Sequence, residues 1–279
     1  MLRFPVGDSH VHPDCSIDAE GSLRQFCEQA LTVSLQQITF TTHYEITPAG
    51  RDKYGYFVLD GQRHEANPDS VKRYVDQVRA VGREFFPLGL KVLCGLEIGW
   101  HESIHDRLVR ELPGFDLDLV IGSVHELGGV HFSAGAEGPD FFKTHSLDEW
   151  ISEYFAAAEQ IARSGLFNLL GHLDVYKRNA LPVYGEKVKE AYRPYLPPLF
   201  RAMIEHDLAL EVNTSGIRHG VGEYYPSMAI INEARRTGVT IAALGSDAHR
   251  PDQLALDFET ALQLVYELLP RPLEDGREY

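Results

Sequence analysis

Asp8-Ser9-His10-Val11-His12 follows an apolar run, Leu2 to Val6, that reads as a first β-strand. In an extended chain residues i and i+2 point to the same side, so His10 and His12 can aim at one ion. Imidazole is the commonest neutral ligand for zinc, iron and manganese, and two at a fixed spacing pre-organise half of a coordination shell. The same pair also suits a surface turn near an N-terminus. The positions of the other histidines and carboxylates decide between the two.

Outward from this stretch the chain alternates strand-like and helix-like patterns. Predicted strands are Gln37 to Thr41, Lys91 to Leu96, Leu117 to Ile121, Phe167 to Leu170, Ala209 to Val212 and Thr240 to Leu244. Between them lie helix signals. Ser22-Leu-Arg-Gln25 is a capping-box pattern ahead of an apolar face of Leu23, Phe26, Cys27, Ala30 and Leu31. Pro68 sits where a first helical position belongs, before Val71, Tyr74, Val75 and Val78. Ser146 caps a third helix, Pro226 opens another, and Gln253 to Leu268 reads as the last. About seven βα units imply an α/β fold with a parallel sheet, most economically closed as a barrel. His10 and His12, His43, Glu97, His125, His172, and Asp247 with His249 all fall just past the C-terminal ends of these strands. In a (β/α) barrel those ends share one rim, where active sites are built. Histidines scattered for packing would not choose the same end of six strands.

The composition narrows the function. A formal charge of −15 argues against a nucleic-acid binder, which needs a basic face for the phosphate backbone. Cys15, Cys27 and Cys94 are odd in number and lack metal-site spacing, so they read as free thiols in a reducing compartment. The N-terminus has no apolar leader core and no stretch reaches the length of a membrane span, so the expectation is a soluble cytoplasmic protein. No linker or repeat divides the chain, and residues 1–279 are expected to form one domain. Two long insertions, 44–67 and 126–146, interrupt the rhythm; loops of that length tend to be lids or binding loops.

The motif order H-x-H, His, Glu, Ser-Val-His, Gly-His, Ser-Asp-Ala-His resembles the PHP family, named for polymerase and histidinol phosphatase domains, along essentially the whole chain. Gly95-Leu-Glu97, Gly122-Ser-Val-His125, His172 to Arg178, Glu211 to Arg218 and Tyr225-Pro-Ser227 are most similar to its monofunctional histidinol-phosphate phosphatases. The resemblance implies a distorted (β/α)7 TIM-like barrel with two to three divalent transition-metal ions (zinc, iron or manganese) at the C-terminal rim. One ion would take His10, His12, Glu97 and Asp247; a second, Glu97, His125 and His172, with Glu97 bridging; a third, Asp18, His43 and His249. Some family members carry histidine where Asp18 stands, and a carboxylate shifts preference towards harder ions.

The resemblance implies hydrolysis of L-histidinol phosphate, a small phosphate monoester, by attack of a metal-bridging hydroxide, with Glu97, Asp247 and His249 at the reacting centre. Two metals about 3.5–4 Å apart suit that chemistry, since they clamp both the attacking and the leaving oxygen of an in-line displacement. Arg178 and Arg218 follow the fifth and sixth strands, and guanidinium forks suit phosphate; as a plain surface ion pair Arg178 has an equal claim. Acidic residues near Arg218, such as Glu223, are candidates to meet a cationic head. The alternative within the family is a phosphoesterase or exonuclease acting on nucleotides or nucleic acid. A hydrolase of C–N bonds and a purely structural metal module fit less well. His101-Glu102-Ser103-Ile104-His105 matches H-E-x-x-H, the zincin signature, but lacks an obvious third ligand and reads as a solvated helix. The remaining histidines, His131 and His219 among them, read as solvated or capping residues.

Overall fold

A computed structural model describes residues 7–133 and 137–267. The run Leu2 to Val6 and the end of the last predicted helix lie outside these residues. Within them, seven parallel strands form one sheet in the spatial order of the sequence: β1 (Gly7–Val11), β2 (Gln37–His43), β3 (Lys91–Gly99), β4 (Leu119–Ser123), β5 (Leu169–Leu170), β6 (Ala209–Asn213) and β7 (Ile241–Gly245). The sheet curls until β7 returns to β1. There the His12 N–H donates to the Ala248 carbonyl at 2.8 Å and the Asp247 N–H to the His10 carbonyl at 2.9 Å. The buried Asp8 carboxylate closes the seam, accepting the N–H groups of Ser246 at 3.0 Å and Ala255 at 3.1 Å. Burial pushes its pKa up to about 6. The result is a nearly closed, seven-stranded TIM-like barrel.

Helices cover the outside because their sequences carry both a cap and an apolar stripe. Leu23–Thr32 begins at Ser22, whose hydroxyl and backbone exchange hydrogen bonds with Gln25. Pro68–Phe85 is capped by Asn67 and buries Val71, Tyr74, Val75 and Val78. The Tyr74 hydroxyl reaches inward to the carbonyls of Phe40 at 2.9 Å and Gly95 at 3.2 Å, which locks this helix to β2 and β3. Leu147–Ser164 follows Ser146 and buries Trp150, Ile151, Tyr154, Phe155 and Ala158.

Several predicted boundaries move. β3 continues three residues beyond Leu96, so Glu97 lies inside a strand rather than after it. β1 runs through His10 itself. Pro226 precedes the N-cap residue Ser227 of helix Met228–Thr237 instead of opening it, and the last helix starts at Phe258 rather than Gln253. Both insertions are structured. The first holds a short helix, Arg51–Tyr54, and a hairpin of Tyr56–Leu59 with Gln62–Glu65; the second holds a hairpin, Glu126–Leu127 with Val130–His131, and helix Glu137–Thr144.

Candidate metal centre

Glu97 is the hub of the rim. Its carboxylate is 1% exposed and divides its two oxygens between two groups of imidazoles. Oε2 faces His10 Nε2 at 3.3 Å, His12 Nε2 at 3.5 Å and His43 Nδ1 at 3.0 Å. Oε1 faces His125 Nε2 at 3.2 Å and His172 Nε2 at 2.8 Å, and accepts the Ser123 hydroxyl at 2.6 Å. Parallel register explains the meeting: His43 on β2 is the Cα partner of Glu97 on β3, and the other three strands bring their ends to the same rim. Asp247 comes from the opposite edge, its Oδ1 3.3 Å from His12 Nε2 and 3.6 Å from His249 Nδ1. It stands at φ 52°, the left-handed region that a non-glycine residue seldom adopts, and such backbone tends to cluster at functional sites. Asp18, His43 and His249 form a more open group, with Asp18 Oδ2 3.6 Å from His43 Nε2 and 3.8 Å from His249 Nε2.

These donors fit metal ions. His10 Nε2 and His12 Nε2 are buried and have no hydrogen-bond partner, an arrangement that costs free energy unless something accepts their lone pairs. Their outer nitrogens explain the aim: His10 Nδ1 is held by Glu211 Oε1 at 2.8 Å, which puts the proton on Nδ1 and leaves the Nε2 lone pair towards Glu97 and Asp247. His125 Nδ1 is held the same way by Glu45 Oε2 at 3.2 Å. Ligand atoms of His10, His12 and Asp247, of His10, Glu97 and His172, and of His12, His43 and His249 each lie within 4.8 Å of one another.

The electrostatics follow the same division. Burial opposes ionising Glu97, but the imidazoles of His10 and His125 outweigh it and hold the carboxyl well below its usual range. Burial likewise opposes protonating His125, and Glu97 with Glu45 overcomes it, raising that imidazole to about 10. His12 goes the other way: burial, with His43 and His249 adding their charge, holds it well below its ordinary value. A carboxylate wedged among imidazoles in a dry site is an arrangement that cations complete.

Four residues escaped the sequence reading. Glu211 sits inside β6, fully buried, where it also accepts the His172 N–H at 2.9 Å and the Asn213 side-chain amide at 3.2 Å. A charged residue within an otherwise apolar parallel strand was the available signal. Glu45 is buried against Thr47, His125 and His131. His131 is 5% exposed and not a solvated residue; the Gly128-Gly129 hairpin turns it back onto Glu45. His219 also departs from the solvated reading. It lines the cavity, where burial and the neighbouring Arg178 push it down to about 4.

Above the hub opens a cavity of about 380 Å³, a size suited to a small ligand. Asp18, His43, Glu97, His125, His172, Asp247 and His249 line it, as do Arg178 and Arg218. Arg178 is exposed. Arg218 donates to the carbonyls of Ser246 at 3.1 Å and Asp247 at 2.8 Å. Glu223 does not stand free for a cationic head; it pairs with Lys177 at 2.9 Å. The H-E-x-x-H stretch has nothing to do with the centre: His101 caps the 3-10 turn Glu102–Ile104, His105 turns to Asp106, and among the described residues neither joins a metal-sized cluster.

The PHP domain model matches residues 8–215. A probable histidinol-phosphatase of Deinococcus radiodurans is 31% identical over 268 residues, covering 94% of this chain and 93% of that protein. The histidinol-phosphatase of Bacillus subtilis is 26% identical over 92% of this chain and 98% of its own length. Among solved structures, histidinol phosphate phosphatase from Lactococcus lactis, complexed with zinc, L-histidinol and phosphate, superposes with a TM-score of 0.75 at 24% identity, covering 94% of this chain and 93% of its own. The matched span starts beside the first histidine pair and runs through the sixth strand, and by that span, well over half of its length, the chain belongs to the PHP domain family.

Proposed function

We propose that this chain is a histidinol-phosphatase, a cytoplasmic metal-dependent phosphomonoesterase in which residues 1–279 act as one domain and convert L-histidinol phosphate to L-histidinol and phosphate. The observation that carries the reading is Glu97, whose two oxygens serve two imidazole groups on the floor of a cavity with two arginines on its wall. The relatives described as histidinol-phosphatases align with nearly the whole chain and support it. His10, His12, Glu97 and Asp247 would hold one ion, Glu97, His125 and His172 a second, and Asp18, His43 and His249 a third. Divalent ions bound there supply Lewis acidity to the phosphoryl oxygens. Zinc, iron and manganese all suit this mixture of imidazole and carboxylate.

The chain's own residues do the rest. Glu45 and Glu211 fix the imidazoles of His125 and His10, so the ligand set costs little to organise. Arg218 spends part of its fork on two backbone carbonyls, which pins the guanidinium plane and leaves further donors for a phosphoryl oxygen. Arg178 adds a second cation on the same wall. Glu97, Asp247 and His249 stand at the reacting centre. Three buried, free cysteines accord with a reducing compartment.

The direct test is phosphate release from a panel of metabolite monoesters by protein purified with its metals. Histidinol phosphate should be the best substrate, and a strong chelator should abolish turnover. Better turnover of single-stranded DNA or generic aryl phosphates would move the chain to the nucleic-acid or broad-specificity branch of the family. Arg218→Ala is expected to raise KM and to lower kcat/KM by about 1.5–3 kcal/mol, the worth of a charge-assisted contact, at unchanged metal content. If metal content falls instead, Arg218 scaffolds the Asp247 loop rather than gripping phosphate. Asp18→Ala should remove about one ion per chain and slow turnover while the buried pair stays loaded, because that pair is complete without it. Equal metal content in variant and parent would leave Asp18 as a turn carboxylate.

A further inference from the structure

Behind the arginine wall of the cavity lies a buried charge cluster that the chemistry above does not use. Lys177 is 1% exposed, which lysine almost never is unless paired. Its Nζ donates to Asp174 Oδ2 at 2.7 Å and Glu223 Oε2 at 2.9 Å, and lies 6.0 Å from the centre of the Tyr192 ring. Asp174 is fully buried and also accepts the Ser227 N–H at 3.1 Å. Burying an ammonium costs several kcal/mol before its partners offset it, and a plain apolar side chain would fill the same space without that penalty. The charge therefore calls for a reason other than stability.

Connectivity suggests the reason. Asp174 lies in the turn after β5, which begins at Gly171, and Lys177 and Arg178 are the first two residues of the helix that follows it, Lys177–Tyr184. Glu223 and Ser227 belong to the loop after β6, which carries Arg218 and His219. Each link to an arginine is short and stiff. Arg178 follows Lys177 directly, in a turn closed by the Lys177 N–H to the Asp174 carbonyl at 3.0 Å and the Arg178 N–H to the Val175 carbonyl at 3.1 Å. On the other side the loop doubles back so tightly that a Cβ on Gly216 would sit 2.1 Å from the Glu223 carbonyl oxygen, and Gly216 is two residues from Arg218. We propose that Lys177 is a positioning residue that stitches the start of the helix after β5 to the loop after β6, so that Arg178 and Arg218 converge on one phosphate. The inference rests on the reading that these arginines take the phosphate.

Lys177→Met would strand two carboxylates and could fail to fold, so the working variant is Glu223→Gln, at the partly exposed end of the cluster, in the full, metal-loaded chain. Inorganic phosphate is the probe. Its competitive inhibition constant and the KM for histidinol phosphate should rise together by about five- to tenfold, the coupling expected within one network, while kcat changes less than about twofold. In an Arg218→Ala background the same substitution should have a smaller effect on phosphate, because only Arg178 is left to misplace. A phosphate constant equal to the parent's overturns the proposal, as does a fall in kcat and Tm at constant KM, which marks a mere prop. Effects that simply multiply in the double variant also overturn it. If the parent turns over no histidinol phosphate, the substrate reading fails by itself, and calorimetric phosphate affinity still decides for or against the stitch.

Discussion

Glu97→Gln should lower kcat/KM at least about 100-fold and strip one or both buried ions, since a change at a ligand ought to exceed the 10–100-fold typical of groups one step behind it. Glutamine keeps the shape of the side chain, so the barrel has no steric reason to move. What changes is charge and hydrogen-bond sense. One of the two oxygens becomes an amide NH2, which cannot ligate an ion and, on either side, occupies as a donor the imidazole nitrogens that an ion would take: His10 and His12 on one side, His125 and His172 on the other. The single negative charge that two ions would share also disappears, and their mutual repulsion is left uncompensated. Metal content by emission spectroscopy and steady-state kinetics on the same preparation measure both effects. Near-normal turnover with full metal content would show that Glu97 does not bridge.

Gly245→Ala is the second large effect expected, although the substitution adds one methyl group and replaces no ligand. The new Cβ would lie 2.1 Å from Glu211 Oε1 and 2.6 Å from His10 Cβ. Neither neighbour can yield cheaply. Glu211 is fully buried and bound at once to His10 Nδ1, the His172 N–H and Asn213, and the His10 backbone carbonyl accepts the Asp247 N–H across the barrel seam. Overpacking of this kind costs about 1–3 kcal/mol, and here the strain displaces the carboxylate that aims His10. Stability should fall by that amount, and metal affinity by about 10–100-fold. Gly114→Ala, whose Cβ would meet open space, is the control and should behave as the parent. A Gly245→Ala protein with parental Tm and metal content would mean that Glu211 is not needed to orient His10.

Much of the site was legible because two local rules carry far. Alternation along a strand put His10 and His12 on one side, and both are buried with ring centres 5.0 Å apart. Parallel βα order put the ends of distant strands on one rim, and that brought His43, Glu97, His125, His172 and the Asp247–His249 pair together although they lie far apart in the chain. Strand ends were harder. The apolar run of β3 stops at Leu96 in sequence, yet its backbone ladder continues with β4 through Gly99, because the neighbouring strand supplies partners that no local pattern records. The 44–67 and 126–146 insertions looked like loops, since their short hairpins gain stability from packing on the barrel rather than from their own propensity.

What the amino-acid sequence determined by itself was the set of units and their order, the strand periodicity, the helix caps, and the side of the barrel on which the imidazoles gather. Each is fixed by backbone geometry within a few residues. Only the tertiary structure decided which carboxylate stands behind which imidazole: Glu211 behind His10, Glu45 behind His125, and Glu223 joined to Lys177 instead of facing the substrate. These choices depend on contacts such as His10 with Glu211, 201 residues apart, whose distances are set by how the sheet closes and where glycines leave room. A short-range rule has no term for either.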